Sequence, residues 1–202
     1  MKTLIIIDAQ NDFMPGGSLE VENGDAIVPV INKIMPQFDL IAATQDWHPQ
    51  NHKSFASNHR GKNTFETIDL NDTDQILWPD HCVQGEKGAE MHPDLNTKPL
   101  AAIFRKGMDT EADTYSGFYD NNKVHATGLA GYLREKGANE LYFCGLAADI
   151  CVYFTLKDAL DEGFKVTLIE DATRPLDKKE FEKQKQELIK KGAEIINSRN
   201  IS

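Results

Sequence analysis

Cysteine is scarce in this chain, with three residues in 202, and the number is odd. A scaffold of paired disulfides is therefore excluded, and free thiols in a reducing compartment are expected. Positive charge is also short: 22 basic residues face 32 acidic ones, for a net charge of −10. That balance argues against nucleic acid or an anionic membrane surface as the main partner. No apolar run approaches bilayer-spanning length. The first residues enter Leu4-Ile5-Ile6-Ile7 directly, without the apolar region and small-residue cleavage site of a secretory signal, so a cytoplasmic location is expected. Repeats, low-complexity segments and linkers are missing too. The expectation is one domain over residues 1–202, long enough to bury a sizeable core.

Short apolar or β-branched runs at Leu4–Ile7, Leu40–Ala43, Ala101–Phe104, Leu141–Cys144, Val166–Ile169 and Ala193–Ile196 predict strands. Their near-continuous apolar character suits a parallel sheet covered on both faces. Helical spacing fills Asp25–Gln37, Gly128–Lys136, Cys151–Glu162 and Lys178–Lys191, and Gly137, Gly163 and Gly192 stand where the last three end. Alternation of strand and helix predicts an α/β fold. The stretch from about 45 to 100 breaks this rhythm. It starts at the end of a strand, where open parallel sheets bind ligands, and a long irregular excursion there is usually functional. The charge-rich last helix, with Phe181, Leu188 and Ile189 on one side, reads as a solvated surface element.

Chemistry-bearing residues gather at predicted strand ends. Asp46, His48 and His52 follow the second strand, and His81 lies in Trp78-Pro79-Asp80-His81. An aspartate, a histidine two residues on and a distant histidine can form an open metal site for Zn, Fe or Mn, whereas a closed structural zinc site would recruit thiolates. The same residues could also be a polar surface loop. Asp8 ends the first strand, either as a tunable carboxylate or as a cap for the next turn. Lys106 follows the third, as a cation for a thiolate and an acid, or as a solvated turn lysine. Cys151 falls at a predicted helix N-terminus, where the macrodipole favours thiolate and amides can face an oxyanion; the alternative is a buried small apolar residue. Cys144 in mid-strand fits the latter, and Cys82 beside His81 reads as a packed neighbour, with metal ligation as the alternative. An acid, a cation and a thiol on one sheet edge suggest acyl transfer through a cysteine nucleophile.

Several motifs then recur together: Asp8-Ala9-Gln10-Asn11-Asp12-Phe13, Asp46–His52, Trp78-Pro79-Asp80-His81-Cys82-Val83-Gln84-Gly85, Arg105-Lys106-Gly107, Tyr115-Ser116-Gly117-Phe118 and Gly145–Cys151. On them the chain resembles the nicotinamidases (pyrazinamidases) of the isochorismatase-like cysteine hydrolase superfamily. The resemblance implies a three-layer α-β-α fold with a mainly parallel six-stranded sheet and a triad of Asp8, Lys106 and Cys151. It implies one divalent metal, Zn before Fe or Mn, on Asp46, His48 and His81. His52 matches a position that ligates in some members and only lines the site in others. His59, His92 and His125 match no ligand position and are expected at the surface. Phe13, Trp78 and Tyr115 match the walls around a flat pyridine ring. A cis peptide at Leu146–Ala147 would aim the N–H of Ala147, with that of Cys151, into an oxyanion hole. The implied reaction is nicotinamide to nicotinate and ammonia, with pyrazinamide as a further substrate, in NAD salvage; a homo-oligomer is a family-based expectation. Two alternatives stand beside it: a related amidohydrolase for a different small amide, and a non-enzymatic metal- or small-ligand-binding protein.

Overall fold

The structure is a computed structural model describing residues 1–71 and 73–201. In chain order its elements are β1 (Lys2–Ile7), α1 (Ile27–Ile34), β2 (Leu40–Asp46), β3 (Thr67–Leu70), β4 (Thr73–Ile76), β5 (Ala102–Lys106), α2 (Leu129–Glu135), β6 (Glu140–Gly145), α3 (Tyr153–Asp161), β7 (Lys165–Thr173), α4 (Lys178–Lys190) and β8 (Glu194–Ile196). Six strands pair in parallel in the order β5-β2-β1-β6-β7-β8. β1 sits inside the sheet, and its four apolar residues Leu4 to Ile7 are wholly buried. Because side chains alternate across a strand, they feed two cores. Leu4 and Ile6 pack with Ile27 and Ile31 of α1, while Ile5 and Ile7 pack with Leu129, Leu133 and Leu156 of α2 and α3. The expected three layers are therefore present, and all six predicted strands lie in the sheet.

Three local expectations change. The predicted helix at 25–37 is split: α1 is flanked by 3₁₀ turns at Gly24–Ala26 and Met35–Gln37. Pro36 has no N–H to extend the helical ladder, so α1 stops before it. The irregular excursion carries an antiparallel ribbon, β3 with β4, that the sequence pattern did not suggest. Its burial is shallow and its residues mostly polar, so hydrophobic periodicity had little to report. Finally, α3 starts at Tyr153 and is preceded by a π-helical turn, Ala148–Val152, in which Val152 N–H donates to Ala147 O at 3.1 Å. On α4, Phe181 and Leu188 are buried but Ile189 faces outward.

The strand order reverses between β1 and β6: β2 and β5 extend to one side of β1, and β6 returns to its other side. At such a switch point the strand C-termini leave a crevice for ligands. Asp8 leaves β1 there and Cys151 follows β6, while Asp46 and Lys106 end β2 and β5.

Candidate active site and metal centre

Asp8 is fully buried and adopts a left-handed φ of 45° in the tight turn after β1. Its side chain does not cap that turn. One oxygen accepts from Thr44 Oγ1 at 2.6 Å, and the other lies 2.9 Å from Lys106 Nζ. The Lys106 ammonium also donates to Asp46 Oδ1 at 2.6 Å and Thr114 O at 3.0 Å, and stands 3.5 Å from Cys151 Sγ. The solvated-lysine reading of Lys106 is thereby overturned, since its side chain is wholly buried. Burial alone would lower the Lys106 pKa, but Asp46 and Asp8 raise it well above its ordinary value, so it stays an ammonium.

The acids separate in character. Burial raises the Asp8 pKa despite the opposing pull of Lys106, with the Asp46 charge adding to the rise. For Asp46 burial acts the same way, yet Lys106 and then His48 outweigh it and hold the carboxyl below its usual range. Cys151 departs from the sequence expectation of a dipole-stabilised thiolate. Burial pushes its pKa well above that of an ordinary thiol, only partly countered by Lys106. It lies inside a π turn rather than at an α-helix N-terminus, facing two carboxylates as well as one ammonium. A proton on this sulfur therefore needs a neighbouring acceptor before the sulfur can react. Asp8, whose carboxylate shares a 4.8 Å cluster with Sγ, stands in that position.

On the other side of Asp46, His48 Nε2 lies 3.7 Å from Oδ1 and His81 Nε2 3.9 Å from Oδ2. His48 Nδ1 bonds to Gly107 O at 2.9 Å and His81 Nδ1 to Pro79 O at 2.8 Å. A carbonyl only accepts, so both Nδ1 atoms carry the proton, and both Nε2 atoms are the ones turned toward the Asp46 carboxylate. This is the outer-shell arrangement that prepares histidines as ligands, and the set fits one divalent metal. His52 groups instead with His48 and Asp113. Its Nδ1 is engaged with Ser54, at 2.7 Å from Oγ, and its buried Nε2 has no hydrogen-bond partner among the described residues. His59 and His92 are half-buried and His125 exposed, and none joins these clusters.

One cavity joins both halves, lined by Asp46, His48 and His81 together with Ala147 and Cys151. Phe13, Trp78 and Tyr115 supply aromatic surface, and Leu19, Ile150 and Leu176 an apolar side. Phe13 meets the His81 ring edge-on at 5.6 Å, and Trp78 Nε1 donates to the Tyr115 hydroxyl at 3.2 Å. The peptide Leu146–Ala147 is cis.

Several contributors escaped the sequence reading. Gln10 exchanges two 2.8 Å bonds with the Asp46 backbone, and Asp12 Oδ2 accepts from Cys82 N–H at 2.7 Å, bracing the residue after His81. Both lie in the Asp8–Phe13 motif, which was the available signal. Gln75, on the unexpected ribbon, donates to Asp113 at 2.9 Å and lies 3.2 Å from the Tyr115 hydroxyl. Nothing in its local sequence marked it.

The isochorismatase domain model matches residues 2–200. The chain belongs to the isochorismatase domain family. Within it, the nicotinamidase of Acinetobacter baylyi is 46% identical over 199 residues, covering 98% of this chain and 93% of that protein. The structure of an Acinetobacter baumanii nicotinamidase/pyrazinamidase superposes with a TM-score of 0.96 at 44% identity, covering 100% of this chain and 98% of that one. A Pyrococcus horikoshii pyrazinamidase, solved in complex with zinc, superposes with a TM-score of 0.80 at 36% identity, covering 97% and 98%. This isochorismatase-domain chain thus aligns with those proteins almost end to end.

Proposed function

We propose that this chain hydrolyses nicotinamide to nicotinate and ammonia, and pyrazinamide to pyrazinoate, through a thioester on Cys151. The observation that carries the reading is the Lys106 ammonium, in reach of Asp8, Asp46 and Cys151 Sγ at once. Asp8 takes the Cys151 proton, and the sulfur forms a bond to the carboxamide carbon. The carbonyl electron pair moves to oxygen, where the N–H groups of Ala147 and Cys151 receive it as an oxyanion hole. As that pair returns, the carbon–nitrogen bond breaks and Asp8 gives its proton to the departing ammonia. Water then loses a proton to Asp8, adds to the thioester carbon, and the carbon–sulfur bond breaks to release the acid; the sulfur recovers the proton from Asp8. Lys106 stays charged throughout, which keeps the buried acid and the transient thiolate in one favourable field.

Asp46, His48 and His81 would hold one divalent ion, zinc by their imidazole–carboxylate chemistry, with iron or manganese suited to the same donors. When bound, the ion would supply a fixed positive charge to hold and orient the substrate. Phe13, Trp78 and Tyr115 pack against the pyridine ring, and the product acid enters NAD salvage. A cytoplasmic setting suits the three unpaired, buried cysteines Cys82, Cys144 and Cys151; among the described residues no helix is long and apolar enough to cross a membrane. The test is ammonia release from nicotinamide by purified, metal-loaded protein. Cys151→Ala should lose about 10⁴-fold or more in turnover; hydrolysis retained by that variant would overturn the assignment.

A further inference from the structure

Asp149 stands two residues before Cys151 and has no part in the chemistry above. Its carboxylate is buried, with 3% of the residue exposed. One oxygen accepts from the Leu176 N–H and the other from the Asp177 N–H, each at 2.8 Å. Two more bonds tie the same turn to the chain after β7: Ala148 N–H donates to Arg174 O at 2.8 Å, and Gln184 Nε2 donates to Asp149 O at 3.1 Å. The turn that carries the nucleophile is therefore stitched to the segment 174–177, and onward to α4, which Asp177 caps through Lys179 and Glu180 N–H. Burying a carboxylate is costly unless its acceptor capacity is used. A carboxylate accepts with both oxygens and donates with neither, which is what two adjacent amide donors require.

The segment held in this way bears on the cavity. Leu176 lines it together with Leu19 and Ile150 and, at 38% exposed, also meets solvent. A leucine in that position needs a fixed backbone to act as a wall. The amides that fix this one are those of Leu176 itself and its neighbour.

We propose that Asp149 is a positioning residue for the pocket roof: by holding both amides it ties Leu176 to the Cys151 turn, and the fixed roof restricts the site to single-ring carboxamides. The inference rests on the amidase reading above. Asparagine at this position would turn an N–H₂ toward one of the two amides, donor against donor, and release the segment.

The experiment compares kcat and KM for nicotinamide and for a fused two-ring analogue, quinoline-3-carboxamide, in wild type, Asp149→Asn, Leu176→Ala and the double variant. Asp149→Asn should raise KM for nicotinamide by about 10-fold with a smaller change in kcat, the size of effect expected from loosening a support. The ratio of kcat/KM values should move toward the larger amide in both single variants. The double variant should move it no further than Leu176→Ala alone, because one roof is lost once. A fall in kcat with the ratio unchanged would overturn the proposal, since Asp149 would then act on the nucleophile turn. So would a ratio shift in Asp149→Asn with none in Leu176→Ala. Amide hydrogen exchange supplies a readout that needs no turnover: residues 174–177 should exchange faster in Asp149→Asn while β6 is unchanged, and unchanged exchange at 174–177 would refute the clasp. If the wild type fails to hydrolyse nicotinamide, the amidase reading falls while the exchange comparison still judges the clasp. If Asp149→Asn does not fold, the substrate ratio of Leu176→Ala judges the roof.

Discussion

Asp46 and Lys106 are register partners across the parallel strands β2 and β5, and their side chains meet at 2.6 Å. Partners in register point to the same face, so backbone pairing alone brings these residues together. The consequence is that one carboxylate serves two neighbourhoods, the ammonium beside Cys151 on one side and the two histidine Nε2 atoms on the other.

Removing the ammonium should therefore do more than slow the chemistry. In Lys106→Met, Asp8 and Asp46 lose the cation between them and remain buried at the same site. A stability loss of about 3–5 kcal/mol is expected for the metal-free protein, read from urea unfolding midpoints. Metal-loaded protein should lose less, because the ion still balances Asp46. Equal midpoints for wild type and variant would show that the pair contributes nothing net.

Gly107 links Lys106 to the metal centre. Its φ is +68°, and a Cβ there would stand 2.3 Å from His48 Cε1 and 2.5 Å from Nδ1. Its own carbonyl orients the same ring. Gly107→Ala should displace His48 and weaken zinc binding by about 10–100-fold, the usual cost of disturbing a ligand's outer shell. Chelator competition measures this, and an unaltered affinity would refute the role assigned to Gly107.

His52 and His81 should separate under substitution. His81 faces Asp46 with a free Nε2, whereas His52 belongs to the group with Asp113. Purified His81→Ala should lose its bound metal. His52→Ala should keep it, with affinity lowered by about 10-fold at most. Metal content by elemental analysis decides the matter, and the reverse pattern would make His52 the third ligand.

Acid should destabilise the metal-free protein through His81. Burial first, and then the His48 charge, hold its pKa at about 4 against an ordinary 6.5. Between those values the unfolded chain binds a proton that the folded chain refuses, so stability falls as pH drops from 6.5 to 4. His48 has the opposite sign: burial lowers its pKa, but Asp46 raises it above 6.5, so its contribution is complete below pH 6.5 and is lost as pH rises through the folded value. Urea titrations of metal-free wild type and His81→Gln isolate the first effect. The variant should lose up to about 1.4 kcal/mol per pH unit of the slope between pH 6.5 and 4; identical slopes would contradict it.

Much of the fold could be read locally. The run Leu4–Ile7 had to be buried on both faces, and a parallel sheet with helices on each side is the architecture that does this. Asp8, Lys106 and Cys151 were visible because strand ends can be counted from apolar runs. The ribbon of Thr67–Leu70 with Thr73–Ile76 was not visible, since its shallow burial leaves no apolar period, and the π turn replaced an expected helix start through one i→i+5 hydrogen bond that no propensity encodes.

The sequence by itself determined the strands, the helices that cover them, and the acid, cation and thiol at one sheet edge, because these follow from side-chain periodicity along a few residues. Only the tertiary structure decided which of those groups touch. That Asp46 pairs with Lys106, that His81 rather than His52 faces Asp46, that Cys151 is buried beside Lys106, and that Asp149 holds Leu176 all depend on distances of a few ångströms between residues far apart in the chain. Packing of the whole domain sets those distances and the burial that shifts each proton equilibrium.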